Sequence, residues 1–455
     1  MLRLVSISVL YGAAGATDTI GTKCEAELLK LCPKPWSTPR ACGECAEGHA
    51  ADLLLAGCTS GEIKQLCLGN PPSPPGRDIT KVLFSDIDNG GRCLDGSPAG
   101  FYIQQASTMQ STWVIYLEGG GACADKDSCT ERATTSLGSS THWPDGKWPK
   151  AFSLADDPDF AAANHVFVPY CSGDEHSGTN LNTTAESFGL YFQGHLNLAR
   201  MLERLHSHHG LGDGARMLLT GQSAGGIGAF KNADFVSDKL ERLGLSNTTL
   251  KAAPNAGWFW PGDPRALPAG VGMPIVFENW TATPLSPTNW SAPTALMVKL
   301  WGAFLPPACT SAMASKGLDP TFCNSVHNVY THTKVPVLTI ENQFDSYQLS
   351  HSMGVPSDPK SAEQKAQVDA YTAYYGGLMR DSTAQVARKE GDGLFLPSCL
   401  THVVSASATV HGYTYLQHVS DWFFGRGEIP NMLIDPCTSA DGAPCGKGCK
   451  HAVEE

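Results

Sequence analysis

The sequence predicts an α/β fold with a mainly parallel central sheet, preceded by a small, cysteine-rich and helical module. From about residue 80, apolar strand-like segments alternate with segments of helical periodicity, a pattern typical of parallel sheets covered by helices. The predicted strands include 111–117, 165–171, 215–221 and 335–340. With 455 residues and 42% hydrophobic content, the chain can bury one large core beside a small second unit.

The start of the chain predicts export. Residues 1–16 combine Arg3, an apolar run and a small-residue end, which is typical of a signal peptide; a buried N-terminal strand is the alternative. The even number of cysteines, 16, fits an oxidising compartment. We therefore expect a secreted protein without a transmembrane segment. Its candidate glycosylation sites are the sequons at Asn182, Asn247, Asn279 and Asn289.

Cysteines and prolines divide the chain into segments. Six cysteines fall within residues 17–68, a segment too short for a large core, so we expect a module held by disulfides. A zinc site at Cys42 and Cys45, with His49 nearby, is the alternative, but a second ligand pair is missing. Four prolines predict a linker at residues 69–79.

The remaining cysteines predict that the C-terminal tail is tied to the main domain. We place that domain at residues 80–430 and the tail at residues 431–455. The domain holds seven cysteines and the tail three, so complete pairing requires at least one disulfide between them.

The charge pattern excludes some classes of partner. The formal net charge is −12 and no long run of Lys or Arg occurs, so nucleic acid is not an expected partner. The same sign disfavours a densely anionic polymer as substrate. No metal-ligand pattern stands out apart from the cysteine pair already weighed, and no metal site is expected.

Ser223 is the predicted nucleophile. It is the central residue of the segment 221–225, which reads G-Q-S-A-G and directly follows an apolar strand. Such a G-x-S-x-G segment between a strand and a helix is typical of the nucleophile elbow of α/β-hydrolases. Small residues two before and two after the serine allow the backbone to make this tight turn.

A glycine loop upstream predicts the oxyanion hole. The segment 117–121, L-E-G-G-G, ends an apolar strand about a hundred residues before the serine. Hydrolases of this fold present backbone N–H groups from such a loop and from the residue after the nucleophile. We expect Gly120, Gly121 and Ala224 to hold the oxyanion; a phosphate-binding loop would require a GK[ST] ending, which is absent here.

The order nucleophile, acid, histidine is typical of this fold and selects the other two catalytic candidates. Asp345 follows the strand 335–340 by a short loop and is the favoured acid, with Glu341 as its rival. His402 is the favoured base because its loop contains Cys399, which a disulfide can hold rigid. The other histidines after the acid are His351, His411, His418 and His451; His351 is too close in sequence, and His418 falls within a helical pattern.

Seven segments, in order, resemble the pectin acetylesterase/Notum family of carboxylesterases. They are YLEGGGAC, VPYCSGDEHSG, LTGQSAGGIGAF, NAGWFWPGD, ENQFDSYQL, PSCLTH and DWFFG. The resemblance spans residues 80–430 and implies an α/β-hydrolase catalytic domain, a Ser223–Asp345–His402 triad and carboxylesterase activity without a cofactor. The chain departs from the family where Ala122 replaces a common Trp and Asn255 replaces a common acid.

The resemblance leaves two substrate classes open. Pectin acetylesterase-like members remove O-acetyl groups from polysaccharide, which is the favoured interpretation, and Notum-like members remove a long acyl chain from a protein. Aromatic residues at 258–260, 277, 280, 290 and 301 are candidates for a sugar platform, an acyl tunnel or plain core packing. A non-catalytic binding protein and a serine peptidase or lipase are the further alternatives. A monomer is expected.

Overall fold

The fold is given by a computed structural model. It describes residues 79–106, 111–145, 157–260, 291–383 and 389–437, except positions 88 and 354, and the isolated positions 27, 28, 30–32, 45, 49, 53, 154, 386, 445, 446 and 449. The chain divides into two compact units, Met1–Gly76 and Arg77–Glu455, and each is described by itself. The predicted signal peptide and nearly all of the predicted linker lie outside the described residues.

The described residues of the first unit include a helical segment with buried apolar side chains. The Cys32 N–H donates to the carbonyl of Leu28 over 2.7 Å, as in a helical turn. Leu28, Cys32 and Leu53 are buried. Cys32 forms a disulfide with Cys45, so the Cys45 thiolate that the alternative zinc site requires is not available.

The second unit is built on a nine-stranded sheet. Two further strands, β9 and β10, form a separate hairpin. In chain order the strands are β1 (Thr80–Leu83), β2 (Gly100–Gln104), β3 (Thr112–Leu117), β4 (Asn164–Val168), β5 (Arg216–Gln222), β6 (Thr249–Asn255), β7 (Leu338–Ile340), β8 (Gly393–Leu396), β9 (Thr409–Val410), β10 (Tyr413–Thr414) and β11 (Met432–Ile434). The order across the sheet is β1-β2-β4-β3-β5-β6-β7-β8-β11.

The predicted α/β class is confirmed by the direction of the strands. From β4 to β11 every neighbouring pair is parallel, and only β2, which pairs antiparallel with both β1 and β4 near one edge, runs in the opposite direction. The central strands are buried along most of their length, as expected for a parallel sheet covered on both faces. The sheet continues past residue 430, because apolar Met432–Ile434 pairs with β8.

Helices occupy the connections between the strands. They are α1 (Lys126–Ala133), α2 (Gly194–His208), α3 (Ala224–Arg242), α4 (Ser291–Trp301), α5 (Pro307–Ser315), α6 (Val326–Tyr330), α7 (Ala362–Thr383) and α8 (Tyr415–Phe424). The amphipathic helix α2 contacts α3, which packs on β5 and β6, while α8 contacts β7 and β8. Helix α8 begins with a capping box at Thr414 and Gln417 and ends at Gly425, which has a left-handed backbone.

All ten described cysteines of the second unit form disulfides. The pairs are Cys93–Cys171, Cys123–Cys129, Cys309–Cys323, Cys399–Cys449 and Cys437–Cys445. The predicted disulfide between tail and domain is confirmed as Cys399–Cys449, which joins the tail to the loop of His402.

The described residues also limit two other kinds of site. Within the described ranges, no helix is long and apolar enough to cross a membrane. Among these same residues, no three His, Cys, Asp or Glu side chains are grouped as a metal site would require.

Candidate active site

Parallel strands place the predicted catalytic residues at one edge of the sheet. Ser223 follows β5, Asp345 follows β7 by a short loop, and His402 lies in the loop after β8. The glycine loop follows β3, the strand beside β5. Because all these strands are parallel, their carboxyl ends meet at the same edge, where ligands bind in open α/β sheets.

Ser223 has the strained backbone of a strand-to-helix elbow. Its φ is 55° and its ψ is −122°, a region that non-glycine residues rarely adopt. Its N–H donates to the carbonyl of Asn255 over 3.0 Å, which ties the elbow to the end of β6. Strain of this kind persists only where the surrounding structure enforces it, and it is often found at functional sites.

Close backbone contacts explain the small residues around Ser223. A Cβ atom on Gly221 would lie 2.6 Å from the carbonyl oxygens of Leu117 and Gly225. A Cβ on Gly225 would overlap the carbonyl of Leu117. Glycine at these positions is therefore required for the elbow to pack against the end of β3.

The glycine loop lies directly against Ser223. A Cβ on Gly119 would be 3.0 Å from the Cβ of Ser223, and Gly121 has a φ of +67°. The Arg132 Nη2 group, from α1, donates to the Gly120 carbonyl over 2.6 Å and so holds the loop in place. Ala224 is the first residue of α3, where backbone N–H groups lack helical partners.

A buried carboxyl group precedes this loop. Glu118 accepts a hydrogen bond from the Tyr170 N–H over 2.8 Å. Burial raises the pKa of Glu118 to about 7, although the Tyr170 N–H acts in the opposite direction. Glu118 belongs to the segment L-E-G-G-G, but the sequence pattern did not mark it as a site residue.

His402 joins the serine to the acid. Its Nε2 lies 2.8 Å from Ser223 Oγ, and its Nδ1 lies 2.7 Å from Asp345 Oδ2. Asp345 is 1% exposed and its Oδ1 accepts the Gln348 N–H over 2.7 Å. With the proton on Nδ1, Nε2 is free to accept the Ser223 hydroxyl proton.

Of the two candidate acids, Asp345 contacts His402. Glu341 is fully buried and accepts the backbone N–H groups of Trp258 and Asn342. Among the rival histidines, His418 is buried in α8, and His351 is exposed and stacks on Tyr347. His411 is exposed, and His451 lies outside the described residues.

Two asparagines that the sequence analysis did not assign to the site hold the loop of His402. Asn255 donates to the Val404 carbonyl and accepts the Val404 N–H, each over 3.0 Å. Asn342 donates to the carbonyls of Thr401 and His402 over 3.0 and 3.2 Å. Asn255 was noted only as a departure from the family pattern; here it bonds the loop of His402 and, through its carbonyl, the N–H of Ser223.

We expect Asn255→Leu to loosen this loop. The variant removes both hydrogen bonds to Val404 and leaves two buried backbone groups unpaired, at a cost of about 1–3 kcal/mol for each unsatisfied group. Thermal unfolding should show a lower Tm, and ester hydrolysis should show a lower kcat. Asn247→Leu is the control at an exposed asparagine outside the site; equal effects of the two substitutions would contradict the assignment.

Aromatic rings form part of the rim. Tyr347 stacks on His402 at 5.0 Å between ring centroids, and Phe259 lies 5.8 Å from the same ring. In contrast, Trp258 and Trp301 are fully buried and pack in the core. The candidate aromatics at 277, 280 and 290 lie outside the described residues.

The predicted sequons differ in what the structure describes. Asn182 and Asn247 are exposed, and the Asn247 amide donates to Asp213. Asn279 and Asn289 lie outside the described residues.

Comparison with known proteins places these motifs in one family. The family model described as pectinacetylesterase matches residues 76–450. The zebrafish (Danio rerio) palmitoleoyl-protein carboxylesterase notum1a is 32% identical over 322 residues, covering 68% of this chain and 58% of that protein. Pectin acetylesterase 4 of Arabidopsis thaliana is 27% identical over 406 residues, covering 81% of this chain and 90% of that protein.

A solved structure supports the same placement. The crystal structure of the Wnt deacylase Notum from Drosophila matches with a TM-score of 0.66 and 26% identity, covering 82% of this chain and all of that one. The chain spans 58% of the length of zebrafish notum1a and 43% of Drosophila melanogaster NOTUM. The predicted resemblance is confirmed, and the chain belongs to the pectinacetylesterase family.

Proposed function

We propose that this chain is a serine carboxylic ester hydrolase with Ser223 as its nucleophile. The observation that carries the proposal is the continuous series of contacts from Asp345 through His402 to the strained Ser223. The family supports it, since relatives of both kinds are named as esterases of carbohydrate or protein. A hydrolase fold that had lost its chemistry would not need all three side chains in this arrangement.

The proposed reaction passes through an acyl-enzyme. His402 Nε2 takes the proton of Ser223 as Oγ attacks the acyl carbon, and Asp345 stabilises the imidazolium that forms. The N–H groups of Gly120, Gly121 and Ala224 hold the oxyanion. The C–O bond to the alcohol then breaks, and the alcohol leaves with the proton from His402.

Water completes the cycle. His402 accepts a proton from a water molecule, which attacks the acyl group on Ser223 Oγ. Collapse of the second tetrahedral intermediate releases the carboxylic acid and returns the proton to Ser223. The proposed steps use only side chains and backbone groups of this chain and require no cofactor.

Polysaccharide O-acetyl groups are the substrate that we propose first. The match to pectin acetylesterase 4 extends over 90% of that protein, whereas the match to zebrafish notum1a extends over 58%. The 32% identity to notum1a supports the second candidate, removal of a long acyl chain from a protein. An acetyl site needs only a shallow pocket, and a fatty acyl chain needs a deep apolar one.

Acyl-chain preference distinguishes these substrates. The experiment compares p-nitrophenyl esters from acetate to palmitate, and acetate release from acetylated pectin and xylan, with Ser223→Ala as the control. We expect the highest kcat/KM for acetate and acetate release from polysaccharide. A preference for long chains would favour the protein deacylase, and equal activity of wild type and Ser223→Ala would contradict the esterase proposal.

We also propose that the protein is secreted, glycosylated and monomeric. Six described disulfides support an oxidising compartment, and the two described sequon asparagines, Asn182 and Asn247, are exposed. Expression in eukaryotic cells should deliver the protein to the medium with a mass that falls on treatment with an N-glycosidase. Retention of the folded protein inside the cells would contradict secretion.

A further inference from the structure

Two carboxyl groups are buried together at the end of β7. Glu341 is 0% exposed and Asp345 is 1% exposed. They come from the same loop, and their carboxyl groups are in hydrogen-bonding contact. Only Asp345 contacts His402, so Glu341 lies behind the acid of the proposed triad.

The other contacts of Glu341 come from backbone N–H groups. Its Oε2 accepts the Trp258 N–H over 2.8 Å, and its Oε1 accepts the Asn342 N–H over 3.1 Å. Within the described residues, no Lys, Arg or His side chain forms an ion pair with it. The side chain therefore links the loop after β6 to the loop after β7 without a compensating positive charge.

Such a pair does not hold two negative charges in a buried site. Two adjacent carboxylates repel each other, and one of them keeps a proton. Burial and the neighbouring Asp345 raise the pKa of Glu341 well above its usual range. Asp345 is the better place for the charge, because it faces the Nδ1 atom of His402, where positive charge develops during the reaction.

We propose that Glu341 is a positioning residue: its carboxyl group carries the proton of the pair and donates a hydrogen bond that directs the Asp345 carboxylate at His402. This inference rests on the proposed function, since it concerns the triad. It differs from the role first considered for Glu341, which was that of the catalytic acid itself.

Other groups that face the pair come from three elements. The Tyr375 hydroxyl on α7 lies near both carboxyl groups and donates to Gln348; burial and these two acids raise its pKa well above the usual value. Arg380 on α7 donates to Gln343 over 2.7 Å, and His327 lies against Trp258 with the two rings tilted. His402 faces the pair through Asp345. Tyr375 therefore does not compete with Glu341 for loss of a proton, because its pKa rises from an ordinary value that is already much higher.

The first test is the pH dependence of stability. A glutamate whose pKa is raised on folding contributes stability that is fully present below its unfolded pKa and is lost as the pH rises towards the folded one. Glu341→Gln cannot ionise, so its Tm relative to wild type should rise steadily from pH 5 to pH 8. Glu363→Gln, an exposed change on α7, should show a constant difference. A constant difference for Glu341→Gln as well would overturn the proposal.

The second test is kinetic and compares two substitutions of Glu341 that differ in whether a hydrogen-bond donor remains. Gln at 341 keeps a donor towards Asp345, although its NH2 group cannot accept one of the two backbone N–H groups that Glu341 binds, whereas Leu removes the donor and both acceptors. We expect Glu341→Gln to keep kcat within about 3-fold of wild type, and Glu341→Leu to lower kcat by about 10- to 100-fold with KM little changed, as for a misplaced catalytic group.

The acid limb of the pH–rate profile separates a positioning role from a merely structural one, because a loss of stability alone would not shift it. Without the donor, the charge of the Asp345 carboxylate is less dispersed and attracts the His402 imidazolium more strongly, so the acid limb should shift upwards in Glu341→Leu but not in Glu341→Gln. Folded Glu341→Leu with the kcat and profile of wild type would overturn the positioning role. If wild type cleaves no ester, the proposed function fails, and the stability measurement still decides which group holds the proton.

Discussion

His402→Ala is expected to lower kcat for ester hydrolysis by about 10⁶-fold, the size seen when a triad histidine is removed. The reason is geometric: Nε2 lies 2.8 Å from Ser223 Oγ, and an alanine leaves no group there to accept the proton. Hydrolysis of p-nitrophenyl acetate measures this loss, with short assays for the wild type and long incubations for the variant.

His351→Ala is the matched control for this result. His351 is also beside the site, and it stacks on Tyr347, the ring that also stacks on His402. It is exposed and lies in the π-helical segment Gln348–Ser352. Its removal should leave kcat within about 10-fold. Similar losses in the two variants would mean that the histidines act only through the packing of Tyr347.

Asp345→Asn is expected to lower kcat by about 10⁴-fold while the protein remains folded. The amide keeps the shape of the side chain, but it cannot stabilise the imidazolium, and it favours the wrong tautomer of His402. The 2.7 Å contact between Asp345 Oδ2 and His402 Nδ1 is the interaction that changes. Activity at several pH values, together with Tm, separates this effect from unfolding.

Asp392→Asn provides the control for loss of a buried carboxylate. Asp392 is 4% exposed and accepts the Val337 N–H over 2.9 Å, at the opposite end of the strands from Ser223. It should lower Tm without a comparable loss of kcat. An Asp345→Asn variant that kept wild-type kcat would remove Asp345 from the mechanism.

The sequence predicted the parts of the site that depend on local patterns. Ser223 could be assigned because the elbow needs small residues on both sides of the serine and an apolar strand before it. The order of acid and base after the serine then narrowed the choice to a few residues. The glycine loop was found for the same reason, since its glycines end a clear strand.

The supporting contacts were not predictable, because they join residues that are distant in sequence. Asn255 bonds Val404 across 149 positions, and Asn342 bonds His402 across 60. Glu341 was weighed as a rival acid, since a carboxyl at a strand end looks the same in sequence whether it faces histidine or lies behind another acid. The odd number of tail cysteines predicted a disulfide to the domain but not its partner, Cys399.

The strands near the two edges of the sheet were also not predictable in full from the sequence. The one antiparallel strand, β2, carries no sequence signal that distinguishes it from parallel strands of similar length. The short strand β11 lies beyond the predicted end of the domain. It was not predicted because three residues give too little of a pattern to recognise as a strand. The division into signal peptide, module, linker, domain and tail stays a prediction.

Covalent labelling of the nucleophile tests the central claim most directly. A fluorophosphonate reacts with an activated serine, and mass spectrometry of the peptides locates the adduct. The account predicts a single adduct on Ser223, absent in Ser223→Ala and strongly slowed in His402→Ala. Labelling of a different serine, or no labelling of folded wild-type protein, would contradict the claim that Ser223 is the nucleophile activated by His402 and Asp345.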